Sequence, residues 1–308
     1  MDRDEALREL NAMLEEATKD GVKGYTIEEV HAYLDELWAP KNTIYLTGDT
    51  HGQFNRIKAF CNEREVEPEN TFIILGDVGL NYFGDMRDRY GKLKLSQIPI
   101  TFFCLHGNHE MRPSAELGYI ESEYHGGKVM LQPEYPNILF AIDGEVYDFM
   151  GYSCLVIGGA YSVDKYYRLA RGMNWFPDEQ PSEEVKAKVE RVLEERNWKV
   201  DIVLSHTCPL RYEPIEVFLP MIDQSTVDKS TEQWLESIEQ RLTYERWYCG
   251  HYHTEKKIDK LQFMFNDYEL LPHTLSIKEE QDMIRRIERQ AEICEVLGLF
   301  DVEGDDDK

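Results

Sequence analysis

Apolar positions change their period along the chain. Leu7, Leu10, Leu14 and Ala17 recur at helical spacing until Asp20-Gly21 stops the run. Thr26-Ile27-Glu28-Glu29 reads as a capping box, followed by an apolar face of Val30, Tyr33, Leu34 and Leu37 that Pro40 ends. Residues 1–40 are therefore expected to be a helical appendage, either a covering layer for the core or a partner-docking arm. From residue 43 the pattern becomes short apolar runs at 43–47, 71–75, 100–105, 153–157, 202–205 and 247–249, each followed by a glycine or histidine turn. Continuous apolar runs of this kind suit strands buried on both faces. Asp143-Gly144, between 138–142 and 145–149, reads as a hairpin turn. Ser182 is placed to cap a helix carrying Val185, Val189 and Leu193, and Ser230 to open another carrying Leu235, Ile238 and Leu242. The alternation predicts an α/β domain over residues 41–268. A C-terminal segment, 269–300, is expected to hold a helix over 276–297 with Ile277, Ile284, Ile287, Ala291 and Cys294 on one stripe. An acidic tail, 301–308, closes the chain.

Charge narrows the choice of partners. The 308 residues carry 59 acidic and 34 basic side chains, a formal charge of −25, which repels the phosphates of a long duplex or an anionic membrane. No stretch reaches the roughly 20 apolar residues of a membrane span, and the acidic start Met1-Asp2-Arg3-Asp4-Glu5 lacks a secretory apolar region. The cysteines at 61, 104, 154, 208, 249 and 294 form no Cys-x-x-Cys pair, and four of them sit in or beside apolar runs. They read as buried thiols in a reducing compartment, so a cytoplasmic protein is expected.

The chemistry lies where the strand-like runs end. These ends read Gly48-Asp49-Thr50-His51, Gly76-Asp77, Gly107-Asn108-His109-Glu110, Ser205-His206 and Gly250-His251-Tyr252-His253. Alone, each is weak: Asp-x-His is commonly a solvated turn, and a buried histidine is commonly a satisfied core residue. Together, in this order and each directly after a strand-like run, they supply carboxylates to offset a cation and imidazoles that suit Mn, Fe, Zn, Co or Ni. Loops at one edge of an α/β sheet are also where such folds bind ligands.

This series of motifs resembles the calcineurin-like metallophosphoesterase superfamily over about residues 43–265. The resemblance implies an α/β fold, a two-sheet β-sandwich flanked by helices, with the N- and C-terminal helices as additions. It implies hydrolysis of phosphate esters by hydroxide activated at a pair of divalent metals, with Mn²⁺ as the first expectation and Fe, Zn, Co or Ni as alternatives. By the same resemblance Asp49, His51 and His253 hold one metal, Asn108, His206 and His251 hold the other, and Asp77 bridges both. His109 is expected beside the metals as the general acid that protonates the leaving oxygen, or else as an orienting neighbour. Glu110 is expected to support the ligands from behind.

The Ser/Thr protein phosphatase branch of that superfamily is not matched. Leu80, Asn81 and Tyr82 stand where that branch has Asp-Arg-Gly, and His106 stands where it has an arginine. Two phosphate-gripping arginines and the carboxylate that orients the catalytic histidine are therefore missing from the motifs. His106, Asn81 and Arg112 flank the motifs as replacement substrate contacts. The segment 158–168, with its glycines, tyrosines, Lys165 and Arg168, is either a lid that meets phosphate or a loop packed on the sheet.

A phosphomonoesterase acting on a phosphorylated small molecule, nucleotide or phosphoprotein is the expected function. A phosphodiesterase on cyclic nucleotides or nucleic-acid ends is the alternative within that chemistry. A metal-binding scaffold acting through the terminal helices is the alternative of another class.

Overall fold

The computed structural model describes residues 43–271 apart from Glu65. The helices expected in 1–40 and 276–297, the tail 301–308 and any partner docking through them lie outside the described residues, as do His31, His273 and Cys294.

The described chain forms a seven-stranded and a six-stranded sheet. The first sheet contains β1 (Ile44–Thr47), β2 (Thr71–Ile74), β3 (Thr101–Cys104), β4 (Ile120–Tyr124), β5 (Gly127–Leu131), β6 (Ile138–Ala141) and β13 (Glu269–Leu271), in the order β13-β1-β2-β3-β6-β5-β4. The second contains β7 (Val146–Phe149), β8 (Tyr152–Ile157), β9 (Ile202–Ser205), β10 (Arg246–Cys249), β11 (Lys256–Ile258) and β12 (Leu261–Phe263), in the order β11-β12-β10-β9-β8-β7. Strands β1, β2, β3 and β6 run parallel, as do β8, β9, β10 and β12.

Strand alternation divides the apolar residues between two faces. Ile44, Leu46, Ile73 and Phe103 of the first sheet share one buried core with Cys154, Val156, Ile202, Leu204 and Tyr248 of the second. The outer faces are covered by helices. Phe72, Ile74 and Phe102 pack with Phe54, Ile57 and Cys61 of α1 (Phe54–Glu63) and Leu95 of α2 (Met86–Ser96). Leu155, Val203 and Trp247 pack with Val189 and Leu193 of α4 (Glu183–Glu195) and Trp234, Leu235 and Ile238 of α5 (Ser230–Glu239). A short helix, α3 (Lys165–Ala170), lies between β8 and α4 in the chain. The result is two facing sheets flanked by helices. Ser182 accepts from the Val185 amide at 3.3 Å, the cap expected there.

Two expectations need correction. Asp143-Gly144 is not a hairpin turn, because β6 and β7 belong to different sheets. The Asp143 side chain is engaged instead: its Oδ1 accepts from the Gly158 amide at 2.6 Å and its Oδ2 meets Arg112 Nη1 at 2.5 Å, so the turn fastens one sheet to the other. The first sheet also runs past the expected boundary at 268, since β13 pairs antiparallel with β1. Three residues of strand carry too little alternation to be read from sequence. Of the cysteines, 61, 104, 154, 208 and 249 are buried and free. No described helix is long and apolar enough to cross a membrane.

Candidate metal centre

Parallel pairing sends the carboxyl ends of β1, β2 and β3 in one direction, and those of β8, β9 and β10 in one direction. The loops after these strands meet. Gly107 and Gly250 permit the approach: a Cβ on Gly107 would lie 2.1 Å from Asp77 Oδ1, and one on Gly250 would lie 2.3 Å from Asp49 Oδ1. The backbone then fixes the carboxylates. The His109 amide donates to Asp77 Oδ1 and the His251 amide to Asp49 Oδ1, both at 2.8 Å. The Asp77 carbonyl in turn accepts from the amides of Thr50 at 3.2 Å and His51 at 2.8 Å.

His51, Asp77, His251 and His253 all have φ between 45° and 67°, in the left-handed region. Each costs on the order of 1–3 kcal/mol and persists only where its surroundings enforce it, so the loops hold their side chains under strain.

Seven polar side chains converge in two neighbouring groups. In the first, His51 Nε2 and His253 Nε2 lie 2.9 Å apart, with Asp49 Oδ2 at 3.7 Å and 3.1 Å from them respectively. In the second, Asn108 Oδ1 lies 2.9 Å from His206 Nε2 and 3.0 Å from His251 Nδ1. Asp77 stands between them, with Oδ2 at 4.0 Å from His51 Nε2 and Oδ1 at 3.7 Å from His206 Nε2. The potential ligand atoms of Asp49, Asp77 and His206 all fall within 4.8 Å of one another, as do those of Asp49, His51 and His253.

The donor set fits divalent ions. The His206 Nδ1–H donates to the Leu75 carbonyl at 2.7 Å, which leaves the Nε2 lone pair facing the cluster. Asn108 Nδ2 donates to Ser162 Oγ at 2.8 Å, which turns Oδ1 inward. Burial, reinforced by the nearby His206, lowers His251 to about 3, and burial also lowers His51, which favours the neutral, lone-pair-bearing form of both. Burial would push the Asp49 carboxyl up, but His206, His253 and His51 more than offset it and hold it far below the usual carboxylate range. Two carboxylates, an amide oxygen and four imidazoles, with no lysine or arginine among them, make a cation site.

The family profile described as calcineurin-like phosphoesterase matches residues 43–265, the span that carries these loops. The chain belongs to that family. As a calcineurin-like phosphoesterase it is a metal-dependent hydrolase of phosphate esters. Among solved structures, TT1561 of Thermus thermophilus is 11% identical with a TM-score of 0.44, the match covering 74% of this chain and 97% of that one. A protein of unknown function from Aquifex aeolicus is 14% identical with a TM-score of 0.29, over 56% and 81% of the two chains. A protein serine/threonine phosphatase from Saccharomyces cerevisiae is 17% identical with a TM-score of 0.29, over 79% and 78%. No curated protein matches this phosphoesterase in sequence.

His109 stands beside the cluster, its Nδ1 3.3 Å from Asp77 Oδ2. On its other side Nε2 lies 3.7 Å from Asp164 Oδ1, the spacing of an ion pair. Both Asp164 oxygens accept from Arg168 Nε at 2.8 Å. Arg168 also lies 3.5 Å from His109 Nδ1 through Nη2 and donates to the Tyr82 hydroxyl at 3.1 Å through Nη1. Burial would lower His109, but Asp164 and Asp77 outweigh it and hold the imidazole above its ordinary value. Segment 158–168 thus brings Arg168 to the site.

The other expected substrate contacts have the following surroundings. The Lys165 ammonium lies 4.0 Å from the Trp175 ring centre. Arg112 is engaged by Asp143 and by the Asp178 carbonyl at 2.9 Å. Asn81 is buried, and its Oδ1 accepts from the Tyr119 hydroxyl at 2.9 Å. His106 is buried with neither ring nitrogen hydrogen-bonded, and burial holds it well below its ordinary value. Glu110 supports the loops: its Oε1 accepts from the amides of Val78 at 3.2 Å and Gly107 at 3.3 Å, and burial raises its carboxyl to about 8. His125 packs against Tyr124 and Phe149.

Sequence reasoning missed Asp164, Ser162 and Arg56. Asp164 had a signal, the i,i+4 spacing to Arg168 on a short helix. Ser162 had none. Arg56, from the first turn of α1, donates to the Asp49 carbonyl at 3.2 Å and the Phe265 carbonyl at 3.0 Å, tying two loops together.

Proposed function

We propose that the chain cleaves phosphomonoesters of small molecules, nucleotides or phosphoproteins, with Asp49, His51 and His253 at one metal, Asn108, His206 and His251 at the other, and Asp77 shared. The observation that carries this reading is the position of Asp77, which turns one carboxylate oxygen toward each group of donors. Divalent ions held there, Mn²⁺ before Fe, Zn, Co or Ni, would acidify a water and offset charge on the phosphoryl oxygens.

The remaining steps belong to the chain's own side chains. Asp164 favours the protonated form of His109 from the Nε2 side. Nδ1 then faces the cluster, and its proton is the one available to the leaving oxygen as the ester bond breaks. Arg168, placed between His109, Asp164 and Tyr82, supplies a guanidinium for phosphoryl oxygens that the motif positions lack. The buried carboxylates and the strained loops keep this arrangement before substrate arrives.

The test is turnover of p-nitrophenyl phosphate and its bis-ester by the Mn²⁺-loaded protein. The reading predicts a higher rate on the monoester, and a loss on the order of 10²–10³-fold in Asp77→Asn. A higher rate on the bis-ester would favour a phosphodiesterase, and equal background rates for both proteins with metal confirmed would favour the scaffold.

A further inference from the structure

The metal cluster opens into a cavity of about 410 Å³. Its inner wall is Asp77, Asn108, His109, His251 and His253, and its outer wall comes from the long connection between β9 and α5. That connection contributes Val217, Phe218, Leu219, Ile222 and Val227. Val217 and Leu219 are 38% and 55% exposed, so this wall presents apolar carbon. Tyr161 and Tyr252 add ring surface, and Tyr252 lies nearly parallel to Phe218, at 15° with 6.2 Å between centres. The volume is that of a small-molecule site.

The cavity wall offers no free cation. Asp164, Glu213, Asp228 and Glu232 lie on it and no lysine or arginine does; Asp164 is held by Arg168, and burial raises Glu232 to about 7. The adjacent Lys229 is spent on Glu213, with Nζ 2.6 Å from Oε2. A further phosphate or carboxylate on the substrate would meet apolar carbon and the Asp228 carboxylate there, with no free cation to receive it.

We infer that residues 213–228 form a leaving-group subsite for an apolar, ring-bearing alcohol or phenol that carries no negative charge of its own. This inference rests on the phosphoester-hydrolase reading. His109, the proton donor of that reading, lines the same cavity, so the leaving oxygen and the group attached to it lie on this side. In the reaction the bond from phosphorus to that oxygen breaks and the oxygen takes the proton from His109. Water supplies the new oxygen on phosphorus and its displaced proton restores His109. The apolar wall without a free cation disfavours nucleoside di- and triphosphates and other polyanions.

The test compares 2-naphthyl and 4-carboxyphenyl phosphates, each as monoester and as methyl diester, on Mn²⁺-loaded protein. Direct binding of 2-naphthol alone is followed by fluorescence. The inference predicts kcat/KM about tenfold or more in favour of naphthyl. Ile222→Lys and Leu219→Lys should each shrink that ratio about tenfold and weaken naphthol binding. Both positions are solvent-accessible, so a lysine is tolerated at one or the other. Naphthyl and carboxyphenyl esters turned over within twofold of each other, with ratios unmoved in both variants, would overturn the subsite while leaving the hydrolase intact. No turnover of any of the four esters by the loaded wild type would overturn the hydrolase reading itself.

Discussion

Asp164 Oδ1 lies 3.7 Å from His109 Nε2, and Arg168 Nε grips both oxygens of the same carboxylate at 2.8 Å. The motif positions after β2 and β3 lack the carboxylate and arginines that the protein phosphatases carry there. Here a carboxylate and a guanidinium reach the same histidine from the segment after β8.

Asp164→Asn should therefore change the pH profile as well as the rate. In the proposed reaction His109 gives up a proton, so activity should fall as pH rises through its pKa. Asp164 is among the groups that raise that pKa, and without it Arg168 stands beside the ring uncompensated. The alkaline limb of kcat/KM should move to lower pH, with kcat falling about 10- to 100-fold. An unmoved limb in a pH–rate series would remove Asp164 from this role.

Gly107→Ala should damage metal binding. The new methyl would sit 2.1 Å from both the Asp77 amide nitrogen and Oδ1, and neither can move without displacing that carboxylate from the cluster. Metal affinity by calorimetric titration should fall about 10- to 100-fold. Gly91→Ala is the contrasting change. It lies within α2, its methyl would meet Leu80 Cδ2 at an ordinary 3.4 Å, and it should stabilise by about 0.5–1 kcal/mol.

Glu232 gives a pH dependence of stability. Burial raises its carboxyl from 4.5 to about 7 while Oε1 accepts from the Thr207 hydroxyl at 2.7 Å. Below pH 4.5 both folded and unfolded chains keep the proton, and the side chain costs nothing. As pH rises from 4.5 through 7 the unfolded chain ionises freely, so stability is lost. Denaturant unfolding of Glu232→Gln and wild type should diverge across that window, the wild type losing up to about 3 kcal/mol relative to the variant by pH 8. A constant difference across the window would contradict the placement of Glu232 as a buried, proton-holding side chain.

The central strands were legible because β1, β2, β3, β8, β9 and β10 are buried on both faces and read as unbroken apolar runs. β4 was not, since Ile120, Glu121 and Glu123 are all solvent-exposed and the strand offers no alternation. β11, β12 and β13 are each three residues long. Helix α2 escaped because only Asp88, Lys92 and Leu95 are buried along it, two of them charged. At the site, motif order was enough to bring Asp49, Asp77, Asn108 and His206 under consideration together, because each follows a strand directly. Asp164 and Ser162 come from a loop whose approach depends on how the two sheets face each other, which local sequence does not encode. Likewise the Asp143-Gly144 turn looks like a hairpin locally and is a sheet-to-sheet crossing in the fold.

The proposed sharing of Asp77 between two metals is tested most directly by counting ions. Elemental analysis and calorimetric titration with Mn²⁺ should find two ions per wild-type chain, one in Asn108→Ala, and weakened binding at both positions in Asp77→Asn. A wild type that binds one ion or none, or an Asn108→Ala chain that still holds two with unchanged affinity, would contradict a paired metal centre at these loops.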